Sequence, residues 1–401
     1  MANGPQKNAP RFLDYRRSPL PLDVAISFAT TTTTRVFYVR DVVGKSPREL
    51  VLTGGVRVNG IVETSLRRHV SRDDDCVEVL MMRDDGEMSS SAESSWVEVA
   101  ISVPRYFACY KPRGVVCAAG RNEGYDRADS VLISEWLEDV ASSPPSSYGG
   151  GDDDGKIKNK CTRAMKTVGR LDEESEGLIL MTDDGSFSRL LCDPEFGLEK
   201  TYRVIVRGTN TQGDSMTTAG RCDDEDHNSR RRHLAEMVSD MIHRGQSTGP
   251  HFMYESCRVL DVGRLTTQHP SDDSYYALVD LALREGKRHE VRRIIKNATA
   301  PVGGGGGGGG RTMRVCYLSR IAVEGLAFSV VKPESLIEAQ EMGFLPADGG
   351  DGERHRRGVP TGKLVPRNDD ESSMLLHRGH MVELSGPDVD RIFSLRSKGY
   401  I

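Results

Sequence analysis

The stretch GRLDEESEGLILMTDDG, residues 169–185, constrains the architecture more than any other part of the chain. Its centre, GLILMT (177–182), is apolar on both faces, as a strand covered on both sides must be. Asp183-Asp184-Gly185 then supplies turn chemistry leading into a short helix, SFSRLL (186–191). A buried strand needs sheet partners. Candidates are FACYKPRGVV (107–116), TYRVIVRG (201–208), SCRVLDVG (256–263) and YYALVDLAL (275–283), all rich in β-branched and alternating residues. Helical periodicity predicts RRRHLAEMVSDMIHRG (230–245), with His233, Leu234, Met237 and Met241 on one face and Gly245 as its stop. It also predicts HEVRRIIKNA (289–298). Strands and helices interleave, so the expected fold class is α+β with a mixed, mostly antiparallel sheet.

The chain has 401 residues, room for more than one domain. Segments 119–160, 209–228, 303–310 (an unbroken glycine run) and 346–372 are too polar or glycine-rich to bury much apolar surface. They are read as solvated insertions. The 8 cysteines include no CxxC pair, and several lie in apolar runs. That favours buried thiols in a reducing compartment over a zinc site. No apolar run has the length of a membrane span, and the N-terminus lacks the apolar core of a secretory signal. Residues 1–34 read as a disordered or targeting tail.

Net charge is −5, so affinity for a polyanion has to be local. Between Arg35 and Arg68 stand 7 basic and 3 acidic residues. There SPRELVLTGG (46–55) has Ser46 as N-cap, Pro47 at the first helical position and a glycine pair as stop. VRVNGIVE (56–63) alternates around Asn59-Gly60, a strong hairpin signal. Such a basic helix–hairpin suits phosphate contact through residues such as Arg48 and Arg57, and it equally suits an ordinary solvated face.

Asp172 sits one short loop before the apolar strand. Alone it is open to two readings, a turn cap or a functional carboxylate. EGKRHEVRRIIKNA (285–298) bears on the choice, because Arg288, Arg292 and Arg293 share a segment with an apolar stripe of Val291, Ile294 and Ile295. An arginine on the buried side of that helix needs a carboxylate partner, and Asp172 has the matching need. An arginine beside it would hold it ionised.

These motifs, in this order, resemble the ribosomal-RNA pseudouridine synthases of the RsuA/RluB type. YKPRGVV (110–116) resembles the family's first motif. GRLDEESEGLILMTDDG is close to its GRLDxx[ST]xGLxLxT[ND]DG signature. EKTYRVIV (199–206) resembles its K-x-Y strand, and EGKRHEVRRI (285–294) its arginine segment. MRVCYLSRIAVEGLAF (313–328) resembles the stretch that follows, and HRGHMVELSGPDVDRIFSL (377–395) its closing helix segment. SPRELVLTGGVRVNGIVE resembles the alpha-L RNA-binding motif, which is like that of ribosomal protein S-four.

The resemblance implies a pseudouridine synthase domain over residues 103–396, preceded by a small alpha-L module over 35–85. It assigns Asp172 as the catalytic aspartate, Tyr202 as the active-site tyrosine and Arg292 as the arginine pairing with the aspartate. Arg170 would contact the flipped nucleotide or fill its gap. Lys111 and Arg288 join the RNA-contacting set, and Lys111 and Leu178 are looser carry-overs that support the pocket. No metal and no organic cofactor are implied. The partner would be RNA, ribosomal RNA first, with a monomeric protein and no membrane.

Long insertions hint at a eukaryotic source, where a plastid or mitochondrion would hold bacterial-type ribosomes. One departure is Glu290, where the family usually has glutamine; a carboxylate there could compete for Arg292. Two rival readings stand beside this one. One is a non-catalytic RNA-binding or ribosome-assembly protein with the same fold. The other is a synthase acting on transfer RNA or messenger RNA.

Overall fold

A computed structural model describes residues 14–31, 39, 43–82, 94–118, 130–142, 165–193, 197–209, 224–247, 254–265, 274–298, 312–324, 326, 329–345, 363–364 and 375–395. The chain divides into two compact units. One comprises Met1–Tyr106, Asp152–Lys166 and Met181–Leu190. The other comprises Phe107–Gly151, Thr167–Leu180 and Leu191–Ile401.

The first unit is built on a 5-stranded sheet in the order Ala29–Thr31, Ser94–Ile101, Val77–Met82, Val56–Val58, Ile61–Val62, antiparallel throughout. The local signals act as read. Ser46 accepts a bond from the Glu49 amide at 3.2 Å and caps the helix Pro47–Leu52. Asn59 and Gly60 take left-handed φ of 52° and 80° and close the hairpin. Residues 20–31, expected as part of a tail, are instead built into the fold. Leu20–Pro21 pairs with His69–Val70, and the helix Leu22–Ser27 buries Leu22, Ala25 and Ile26. Leu20, Leu22, Ala25, Ile26, Phe28 and Ala29 are all buried, which ties this segment into the core. The sheet also continues to Ile101, past the expected module end at 85. In the same unit Asp184 accepts from the amides of Ser186 and Phe187 at the start of the helix Gly185–Cys192, and from the Tyr106 hydroxyl at 2.7 Å.

The second unit carries a 9-stranded mixed sheet. Its order is Ser256–Gly263, Ser274–Leu283, Lys200–Thr209, Thr312–Val323, Glu176–Thr182, Tyr106–Lys111, His380–Glu383, Lys363–Leu364, with Lys166–Val168 also paired to Glu176–Thr182. The first four strands are antiparallel. Glu176–Thr182 then runs parallel to Thr312–Val323. Every residue of Glu176–Thr182 is buried, as its sequence demands.

Two expectations need correcting in this unit. The 119–160 segment is not loop throughout: Val131–Leu132 pairs in parallel with Val115–Val116, and the helix Ile133–Ser142 buries Trp136, Leu137 and Val140. An amphipathic pattern there was hidden among low-complexity neighbours. The helix predicted at 230–245 spans Asp224–Ser247 and buries Leu234, Val238, Met241 and Ile242, while His233 is exposed and Met237 half-buried. Gly245 lies inside that helix rather than beyond its end. A Cβ there would stand 2.4 Å from the Ile294 carbonyl oxygen and 2.6 Å from the Ala298 amide nitrogen. The glycine lets this helix meet Glu290–Asn297 backbone to backbone. The 303–310 run lies outside the described residues. Among the described residues, no helix is long and apolar enough to cross a membrane.

Gly245→Ala sets helix propensity, worth about 1 kcal/mol in favour of alanine, against overpacking that costs about 1–3 kcal/mol. The close atoms are backbone and cannot swing aside. The variant should unfold at lower urea, with a net loss of about 1–2 kcal/mol.

Candidate active site

The 169–175 loop projects from the start of the central strand. It is pinned from behind: the Gly114 amide donates to the Glu173 carbonyl at 2.8 Å, and the Ser175 amide to the Asp172 carbonyl at 3.0 Å. Leu171 is buried, and the half-buried Asp172 side chain is left facing a cavity of about 340 Å³. That volume suits a small organic group.

Opposite lies Tyr202, on Lys200–Thr209. Alternation along that strand sends Tyr202 to the pocket and Arg203 to the other face. There Arg203 meets Asp280 at 2.8 Å and the Pro333 carbonyl. The register with Thr312–Val323 slips between Thr201 and Tyr202, an irregularity of the kind that re-aims a side chain. Tyr202 is 9% exposed. The third wall is the 284–292 segment, which runs into Glu290–Asn297.

The pocket therefore gathers Arg170, Asp172, Tyr202, Arg288 and Arg292, five residues chosen from sequence. Four others behave differently. Lys111 was expected to touch RNA, yet it is 0% exposed. Its ammonium donates to the carbonyls of Pro112 (3.1 Å) and Val115 (2.7 Å), behind the Asp172 loop. Loop carbonyls replace the water a lysine normally keeps, so this residue is structural support. Arg57 is half-buried with its guanidinium 3.9 Å from the Trp96 ring centre, a cation–π contact. Arg48 is exposed on Pro47–Leu52. Leu178 is fully buried in the central strand and packs there rather than lining the pocket.

The expected ion pair of Asp172 with Arg292 is not formed in this structure. Arg292 donates instead to the Glu174 carbonyl at 3.3 Å. Burial lowers its proton affinity, and the charges of Glu174 and Asp172 oppose that fall. The basic group nearest Asp172 is His289, with Nε2 3.5 Å from Oδ1.

Sequence reasoning did not single out His289, nor Lys200 and Arg320, which also line the cavity. Arg320 is 4% exposed and donates to the Leu178 carbonyl at 2.6 Å. Burial lowers the pKa of Lys200, and nearby Arg320 adds to the effect. Lys200 and Arg320 each sit in a quoted motif, so the signal was present without a role attached. Glu290 does not compete for Arg292: its Oε2 accepts from the Lys287 amide at 3.1 Å.

A carboxylate, a phenol and several cations around a cavity open to solvent can hold an anionic group and can support acid–base or nucleophilic chemistry. Residues 105–297 match the family described as RNA pseudouridylate synthase. That stretch is just under half of the chain. Curated relatives carry the names of ribosomal large- and small-subunit pseudouridine synthases. The chain is 28% identical over 164 residues to the ribosomal large subunit pseudouridine synthase B of Bacillus subtilis, covering 41% of this chain and 50% of that protein. It is 26% identical over 254 residues to the chloroplastic SVR1 of Arabidopsis thaliana, also named for a large-subunit synthase, covering 63% and 48%. The chain thus spans about half the length of these curated relatives. A crystal structure of a pseudouridylate synthase aligns with 18% identity over 71% of this chain and 86% of that one, at a TM-score of 0.29.

Lys111 gives the site a measurable signature. Burial lowers its pKa from 10.5 to about 8. Between those values the unfolded chain binds the extra proton and the folded one does not, so stability rises with pH across that window. Relative to Lys111→Met, the wild type should gain about 3 kcal/mol from pH 8 to pH 10.5, read by urea unfolding at each pH. A difference that does not change with pH would mean the amine is not buried.

Proposed function

We propose that this chain is an RNA pseudouridine synthase that isomerises one uridine, in ribosomal RNA, with Asp172 as the reacting carboxylate. The observation carrying the proposal is the convergence of Asp172 and Tyr202 on one cavity edged by arginines. The family match and the ribosomal names of the relatives support it.

The reaction breaks the bond between the anomeric carbon and uracil N1, rotates the base, and rejoins it through carbon five. A uridine in a stacked strand is out of reach, so the nucleotide has to be extruded into the cavity. Exposed Arg170 and Arg288 stand where phosphates of the displaced strand would pass. Asp172 then attacks the anomeric carbon, or removes the neighbouring ribose proton to leave a glycal. Both routes need the carboxylate form. Tyr202 offers a ring face to the loosened uracil and a phenol near the carbon-five proton. The carbon-five proton leaves and N1 gains one, so the change is an isomerisation requiring no outside reactant.

The helix–hairpin carrying Arg48 is assigned as an alpha-L-type RNA-docking module. Support comes from its Ser46 cap, its Asn59-Gly60 turn and its basic excess. A plastid or mitochondrion is assigned as the compartment, on the strength of the chloroplastic relative.

The test is a pseudouridine map of ribosomal RNA treated with wild type or Asp172→Asn. One uridine converted by wild type alone is expected, with RNA affinity within about threefold for the variant. Binding without conversion of any ribosomal, transfer or messenger RNA would make the chain a non-catalytic RNA binder. Arg292→Ala should also lose turnover by at least about a hundredfold. Because Arg292 makes no ion pair with Asp172 here, its removal should cost only about 1 kcal/mol of stability in urea unfolding. A loss of about 3–5 kcal/mol would instead indicate a buried ion pair.

A further inference from the structure

His289 precedes the helix Glu290–Asn297 with φ 58° and ψ 27°, and its side chain makes no capping bond. Among the described residues, the other non-glycine with positive φ is Asn59, where a hairpin turn explains it. At 289 the turn from Lys287 to Glu290, closed by the Glu290 amide donating to the Lys287 carbonyl at 3.2 Å, accommodates the left-handed backbone. That turn gives the histidine side chain a definite place on the cavity wall.

That place is defined by two contacts. The His289 Nε2 lies 3.5 Å from Asp172 Oδ1 and 3.4 Å from Arg288 Nε. A ring nitrogen serves one of these at a time. Protonated, Nε2 donates to the carboxylate. Neutral, its lone pair accepts from the guanidinium. The charged groups facing the same cavity are Arg170 and Asp172 on the loop, Lys200 and Arg320 on the two strands, and Arg284, Glu285, Lys287, Arg288, Glu290 and Arg292 on the histidine's own segment.

We infer that His289 is a positioning residue for Asp172. Protonated, it holds the carboxylate in the resting pocket. Neutral, it turns to Arg288 and frees the carboxylate for the substrate and Arg292. This inference rests on the proposed synthase activity.

The test compares wild type with His289→Ala, His289→Gly and His289→Gln under single-turnover conditions on ribosomal RNA, from pH 5 to 8, where histidines titrate. Wild-type turnover should rise across that range. The Ala and Gly variants lack the restraining imidazolium, so they should match wild type within about threefold at pH 8 and exceed it about tenfold at pH 5, with KM and RNA Kd changed less than threefold and a flattened profile. Gly should melt above Ala, because it relieves the left-handed φ. Gln, which keeps an uncharged N–H for the carboxylate at every pH, should turn over more slowly than Ala, with a flat profile. A wild-type profile in the Ala variant, or a change seen only in RNA Kd, would overturn the positioning role.

A second measurement does not use activity. In urea unfolding, a double-mutant cycle between Asp172→Asn and His289→Ala should show coupling of about two- to fivefold in the unfolding constant at pH 5.5, and none at pH 8.5. Absence of coupling at both pH values refutes the inference even if the wild type makes pseudouridine. Coupling without any pseudouridine refutes the activity, and with it the catalytic role of the pair.

Discussion

Glu176 opens the central strand with a carboxylate that is 3% exposed. A charge at that depth costs several kcal/mol unless it is paired and hydrogen-bonded. The Tyr110 hydroxyl donates to its Oε1 at 2.7 Å and Arg378 to the same oxygen at 2.8 Å. Burial and the charge of Glu176 both push the Tyr110 pKa up, which keeps this donor protonated. The pairing fixes where the strand begins, and Asp172 lies four residues upstream in a loop of fixed length. It also ties the 377–383 segment to the sheet, since Arg378 stands just before the strand His380–Glu383. Gly177 adds a second constraint: a Cβ there would lie 2.3 Å from the Arg320 carbonyl oxygen, so the parallel strand approaches as closely as backbone allows. The site's depth and the site's arginine floor are set by the same two residues.

Around Asp172 the cations are distributed by distance and by freedom to move. Lys111 is locked behind the loop by two carbonyls and acts only through its field. His289 is close, with its Nε2 3.5 Å from the carboxylate. Arg292 is half-buried and held by a backbone carbonyl, a bond weak enough to exchange. Arg170 and Arg288 are exposed, and a passing phosphate can neutralise them. A chain of net charge −5 thus gathers positive side chains around one cavity.

What could be read from the sequence follows the range of the interaction involved. Strands with period-two alternation, the Ser46 cap and the Asn59-Gly60 turn depend on neighbours within a few residues, and each was legible. So was the meeting of Asp172, Tyr202 and Arg292 in one cavity, because long motifs in a fixed order carry tertiary information. Lys111 was misread because its burial depends on a loop path that composition does not encode. The Ile133–Ser142 helix was missed because serine, glycine and aspartate on either side dominated the composition of the window. Gly245 looked like a stop, since a helix-ending glycine and a close-packing one are the same letter until the second helix is in place. His289 gave no signal, because its approach to Asp172 joins two segments more than a hundred residues apart.

Glu290 shows how a departure from a motif can be absorbed. A carboxylate next to the arginine segment could have captured Arg292 and disabled the site. The structure directs it elsewhere: Glu290 starts the helix, is 4% exposed, and accepts the Lys287 amide in a first-turn bond. Burial raises its pKa, so the charge that would compete for Arg292 is itself disfavoured. A glutamine has the same length and an acceptor oxygen in the same position, and could make the same bond. The exchange of glutamine for glutamate therefore preserves the helix start that sets the spacing between His289 and Arg292. What the site requires at this position is an acceptor for the Lys287 amide, and either side chain provides it.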